Sequence, residues 1–359
     1  MRFAPFLLAA ALNLMAAPVL AQSLEQMAGQ MIVVGFGGDD VSDASVERLT
    51  AEIAASGIGG VMYLKVNVKS RAAVVAMNEA FLAAAPGDLP PFITLDQEGG
   101  LVERLTRTVG FEEIPGPAEV ARTMPVSTVR PLYNKQAKAI AEWGFSVNFA
   151  PVVDIDRNPQ NQVIVGNGRA FGKGANTVTV YAEQVIAAHH QFGVLTSLKH
   201  FPGHGSSTSD SHEGYVDITR TWSDEELGPY RQLFEGGYRD MVMVGHLIDR
   251  NVSELPASLA PEWIDGVLRG ELGFTGVVIS DDLEMGAIRK HYDLKETVTR
   301  AVRAGVDVLL FSNTAKPRAS LPEEIRAILV AEAEADPAFR ARIEESYGRI
   351  VGLKSRIGG

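Results

Sequence analysis

The chain has 359 residues, a formal charge of −11 and no cysteine, which excludes disulfides, thiolate nucleophiles, zinc-thiolate and iron–sulfur sites, and lipidation through cysteine. A net-acidic surface repels phosphate backbones, so nucleic acid is not an expected partner. With 46% hydrophobic residues the length suits two domains or one large α/β barrel.

Arg2 precedes an apolar run from Phe3 to Ala17, interrupted by Pro5 and Asn13, and Pro18-Val19-Leu20-Ala21 follows. Small residues three and one before Gln22 predict a secretory signal, residues 1–21, cleaved after Ala21. A buried or anchoring helix is the alternative, but the run is short for a span of about 20 residues, and no stable membrane insertion is expected. Residues 22–359 are then one exported domain, periplasmic in a Gram-negative source and secreted otherwise.

Beyond the leader, short β-branched apolar runs alternate with amphipathic helices. Strands are expected at Met31–Val34, Gly60–Leu64, Phe92–Leu95, Val147–Ala150, Leu195–Leu198, Met241–Val244, Val277–Ile279 and Val306–Phe311. Helices are expected at Ala44–Ala55, Arg71–Ala84, Val126–Trp143, Thr177–Phe192, Asp224–Gly236, Pro261–Leu272 and Lys295–Ala304, with Leu321–Glu334 and Phe339–Val351 after the last strand. Continuously apolar strands are those of a parallel sheet covered on both faces. Eight βα units predict an α/β fold closed as a (β/α)8 TIM barrel, an open doubly wound sheet being the competitor. Polar residues decide between them. Asp96, Asp154, Lys199, His200, His246, Asp281 and Asn313 all follow strands, and a barrel gathers them on its carboxyl-terminal rim.

The densest chemistry lies in Lys199-His200-Phe201-Pro202-Gly203-His204-Gly205 with Asp210-Ser211-His212 after it. A loop of this composition is expected to be mobile and exposed. Asp210 can orient His212 and raise its basicity, making a general acid/base near neutrality. A metal reading, with His200, His204, Asp210, His212 and His246 as ligands, fits no compact zinc spacing, and Pro202-Gly203 breaks any helix joining the first two. In Ser280-Asp281-Asp282 a carboxylate at a strand end is placed as an enzymatic nucleophile needs, and Asp281, nearer the strand, is preferred over Asp282. Asp96, in Asp96-Gln97-Glu98-Gly99-Gly100 with Arg104 beyond, can hold two sugar hydroxyls or cap a loop. The loop Gly166–Gly172 presents Arg169 but lacks the lysine of a phosphate-binding loop, and Gly35–Gly38 lacks dinucleotide spacing.

Taken in order, Leu95–Gly100, Asn148–Asp154, Gly168–Gly172, Lys199–Gly205, Asp210–His212 and Ser280–Met285 resemble glycoside hydrolase family 3. They are closest in pattern to its single-domain β-N-acetylglucosaminidases of peptidoglycan turnover. The resemblance implies a (β/α)8 barrel with Asp281 as nucleophile, His212 as acid/base and Asp210 orienting it. It implies that Asp96, Arg104, Arg169, Lys199 and His200 line the N-acetylglucosamine pocket, with no metal and no organic cofactor. The expected partner is a carbohydrate, an N-acetylglucosaminide or cell-wall fragment. The family's usual arginine after Glu-Gly-Gly is Leu101 here, and its usual Ala-His is Gly245-His246. The implied reaction is a two-step retaining displacement. Phosphorolysis, assistance by the substrate's acetamido group, a non-catalytic glycan-binding barrel and a metal-dependent barrel hydrolase are the alternatives.

Overall fold

The computed structural model describes residues 22–87, 89–210, 214–314 and 317–357. Its ten strands are β1 (Ile32–Gly35), β2 (Gly60–Tyr63), β3 (Phe92–Leu95), β4 (Val147–Asn148), β5 (Leu195–Phe201), β6 (Val216–Asp217), β7 (Met241–Val244), β8 (Leu247–Ile248), β9 (Val277–Ser280) and β10 (Leu309–Phe311). Eight of them form one parallel sheet in the order β10-β1-β2-β3-β4-β5-β7-β9. A parallel bridge between Ile279 and Val308 joins its two edges, so the sheet closes as the expected TIM barrel. The strands β6 and β8 pair separately as a short ribbon, Val216 beside Leu247.

The outer helices form for local reasons. In Arg71–Ala84, Ser70 accepts a hydrogen bond from the Ala73 N–H, and Val74, Met77, Asn78 and Phe81 fall on one buried face. In Leu294–Ala304, Asp293 caps the start, and Gly305, at φ 110°, supplies the left-handed turn that ends it. Each large apolar side chain so buried is worth roughly 1.5–3 kcal/mol before the entropy of ordering it.

Where the elements depart from expectation, backbone donors explain it. After Asn148 the chain turns, the Ala150 N–H bonding the Asn148 carbonyl, and Pro151 has no donor with which to extend β4. The last strand starts at Leu309 because the Asp307 and Val308 N–H groups both reach the Val278 carbonyl. Expected helix Asp224–Gly236 is a 3₁₀ turn, Asp224–Leu227, followed by an α-helix from Gly228 with proline in its first turn. Expected helix Pro261–Leu272 is wound as a π-helix over Glu262–Glu271. A further helix, Leu24–Gln30, precedes β1.

Two side-chain devices close the barrel. Along the β9–β10 seam, the Asp307 carboxylate accepts from the Val278 N–H and the Ser280 hydroxyl accepts from the Leu310 N–H. Asp307 is also gripped by Arg269 from the π-helix and by Arg349 and Ser346 from the helix Pro337–Lys354. At the amino-terminal end, buried Lys354 donates to the Gln30 side chain and the Gly59 carbonyl, both at 2.7 Å, over the ring of Phe92. Among the described residues no helix is long and apolar enough to cross a membrane, and the run Phe3–Ala17 lies outside them.

Candidate active site

At the carboxyl-terminal ends of the strands lies a pocket of about 260 Å3 with an apolar floor of Met62, Met243 and Leu310 from β2, β7 and β10. Its walls include Asp96, Arg104, Arg169, Lys199, His200, Asp210 and Asp281.

The loop after β3 is shaped by Gln97. Its side-chain oxygen accepts from the Arg104 and Leu105 N–H groups, and its amide donates to the Leu105 carbonyl. Asn148 on β4 holds the Gln97 backbone through both its amide groups. That fold-back brings Arg104 to Asp96 at 2.7 Å, while Lys199 at the end of β5 bonds the other Asp96 oxygen at 2.7 Å. Lys199 also lies 2.6 Å from Glu98, which Arg169 clasps with two hydrogen bonds of 2.7 and 2.8 Å. Burial alone would raise both carboxyls. Lys199 and Arg104 instead hold Asp96 far below the ordinary range, and Arg169 and Lys199 bring Glu98 down to about 2. The cations are thus fixed in place by permanently ionised partners.

Asp154, buried after β4, organises the histidine segment. It accepts from the backbone N–H of His200 and of His204 and pairs with His200 Nδ1 at 2.7 Å. On the other side of the ring Arg169 lies 3.3 Å from His200 Nε2. Asn161 then ties the segment down, donating to the His204 carbonyl and the Ser207 hydroxyl. From the other side Glu226 accepts from the Gly205 N–H at 3.0 Å. Gly203, at φ 125°, and Gly205 are required here. A Cβ on the first would strike Glu226, and one on the second would lie 1.8 Å from the Ile155 carbonyl oxygen. The expectation of an exposed loop is therefore corrected for Lys199–Ser207: Lys199–Phe201 belongs to β5 and the chain stays buried through Ser207, while Thr208 and Ser209 beyond it are exposed. Burial pushes His204 down to about 4, leaving it neutral, and pushes the Glu226 carboxyl up to about 7.

Asp281 follows β9, its N–H bonded to the Val244 carbonyl and its side chain accepting from the Asp282 N–H. Burial works against its charge, but His246, His200 and Lys199 outweigh it and hold the carboxyl below the ordinary aspartate value. Asp282 turns away and accepts from the Glu284 and Ser312 N–H groups, a loop-capping role. His246 lies beneath, bonded to the Ser258 hydroxyl and the Asp282 carbonyl.

Residues 23–350 match the profile described as Glycosyl hydrolase family 3 N terminal domain. The chain belongs to glycosyl hydrolase family 3. Among its relatives in that family, the beta-hexosaminidase of Xylella fastidiosa (strain M23) is 34% identical over 298 residues, 78% of this chain and 82% of that one. Beta-hexosaminidase LpqI of Mycobacterium tuberculosis is 37% identical over 262 residues, 70% of this chain and 66% of that one. A solved structure, the beta-N-acetylhexosaminidase of Beutenbergia cavernae, superposes with a TM-score of 0.81 at 29% identity, covering 93% of this chain and 99% of that one.

Asp96, Arg104, Arg169, Lys199, His200, Asp210 and Asp281 all line this one rim pocket of the family 3 barrel, beside which other cavities open. His212 lies outside the described residues. Three strand-end residues do not line the pocket: Asp154 and His246 are buried behind it, and Asn313 faces a neighbouring cavity. Sequence reasoning gave no role to Glu98, Asp154 or Glu226. Glu98 had a signal, its place two residues after Asp96 in a glycine-flanked turn.

Proposed function

We propose that this enzyme is a retaining exo-β-N-acetylglucosaminidase that removes terminal N-acetylglucosamine from cell-wall fragments or chito-oligosaccharides. At the coarser level it is a glycoside hydrolase of the β-N-acetylhexosaminidase kind, acting on carbohydrate, as its named relatives indicate. The observation that carries the finer reading is Asp281. It is a carboxylate at a strand end, held ionised by His246, His200 and Lys199, while its neighbour Asp282 is occupied with the backbone. In the first step Asp281 attacks the anomeric carbon as His212, oriented by Asp210, protonates the leaving oxygen. A glycosyl-aspartate forms and the alcohol departs. Water, deprotonated by neutral His212, then attacks the anomeric carbon and frees Asp281. In this reading Asp96 and Lys199, both lining the pocket, grip sugar hydroxyls. Residues 22–359 act as one exported domain, released by cleavage after Ala21.

Hydrolysis of an aryl β-N-acetylglucosaminide, set beside the matching aryl β-glucoside, tests this reading. Release is expected from the acetylated sugar alone, and Asp281→Ala is expected to lower it by at least about a thousandfold. His212→Ala should spare aryl substrates with good leaving groups more than those with poor ones. Equal losses across leaving groups would overturn the acid/base assignment.

A further inference from the structure

Of the described ionisable side chains that line the pocket beside Asp281, His204 is the one that neither the reaction nor the ion pairs employ. It is 2% exposed and its main chain is fixed on both sides. Its N–H donates to Asp154 and its carbonyl accepts from Asn161, each at 2.7 Å. The ring stands edge-on to that of His200, with centroids 5.7 Å apart and planes at 75°. Nδ1 lies 2.6 Å from the hydroxyl of Ser207, which itself accepts from Asn161 and does not line the pocket. Nε2, on the far edge of the ring, is buried and has no hydrogen-bond partner among the described residues. Among them, the only other such atom on a lining residue is Arg104 Nε. A buried polar atom left unpaired costs about 1–3 kcal/mol, which a ligand that pairs it relieves.

Burial above all, with His200 and Arg169 nearby, keeps His204 neutral. In a neutral imidazole one nitrogen donates and the other accepts. Whichever role Nδ1 takes toward Ser207, Nε2 has the other, and a hydroxyl suits either because it both donates and accepts. A carboxylate only accepts and an ammonium only donates. We infer that His204 Nε2 is a substrate-binding group, holding one hydroxyl of the sugar that Asp281 attacks. This assignment rests on the function proposed above. Asp154, Asn161 and Ser207 have already ordered the ring, so the bond forms without a further loss of side-chain freedom.

The test measures kcat/KM of the full chain on an aryl β-N-acetylglucosaminide and on its 3-deoxy, 4-deoxy and 6-deoxy analogues. His204→Phe keeps a flat ring and removes both nitrogens. On the parent sugar it is expected to lose about tenfold. On the one analogue that lacks the hydroxyl held by His204, variant and wild type should be equal, while the other two analogues reproduce the loss. Ser207→Ala, a smaller change that releases Nδ1, should show a weaker loss that vanishes on the same analogue, and it carries the test if the phenylalanine variant does not fold. Equal losses on all the substrates, or no loss on the parent, would overturn the assignment and leave the ring a part of the fold. A wild type inactive on the parent would instead overturn the glycosidase reading beneath it.

Discussion

Between Asp281 and Asp282 the environment of a carboxylate inverts within one residue: histidines and Lys199 favour the charge on the first, while burial pushes the second above its ordinary value. That Asp281 lines the pocket while Asp282 caps the loop was legible from the place of Asp281 at the strand end, because a strand aims its last side chain. The place of Glu98 beside Asp96 was legible but its role was not, since that depends on Arg169, 71 positions away, and on Lys199 at the end of another strand. Glu226 sits in an acidic run, Asp224-Glu225-Glu226, that gives no sign of its burial beneath the histidine segment. Its folded carboxyl, pushed by burial from 4.5 to about 7, holds a proton more tightly than the unfolded one. Stability therefore falls as pH rises through that window, by an amount of order 3 kcal/mol. Glu226→Gln keeps an acceptor for the Gly205 N–H and removes the charge. Thermal unfolding should show the variant level with wild type near pH 4 and several degrees more stable at pH 8. A pH-independent difference would rule this out.

At the scale of elements, the barrel strands were readable because two-sided burial leaves a continuous apolar signature in the chain. The β6–β8 ribbon has two residues in each strand and leaves no such trace. Exposure of the histidine segment was misjudged for a related reason. Glycine and proline usually mark surface turns, but here Asp154, Asn161 and Glu226 satisfy the backbone of a buried one. The seam between β9 and β10 depends on side chains in the same way, and Asp307 is central to it. Asp307→Ala strips a buried carboxylate from Arg269 and Arg349 and leaves the Val278 N–H unpaired. Urea unfolding should show a loss of about 3–5 kcal/mol. A loss below about 1 kcal/mol would mean that the main-chain bonds alone hold the seam.

For the molecule as a whole, the chemistry occupies one end of the barrel and the chain's last helix secures the other. Pro337–Lys354 contributes Ser346 and Arg349 to the seam and Lys354 to the base. A chain ending before Pro337 should consequently fail to unfold cooperatively on heating and should bind a hydrophobic dye. A sharp transition near the wild-type temperature would refute that. The bond from Lys354 to Gln30 joins residues 324 positions apart. During synthesis, at about 5–20 residues per second, Gln30 is made roughly 15–65 s before the lysine that secures it. The nascent barrel must pass that interval with its base open, so folding cannot be complete until Lys354 has been made.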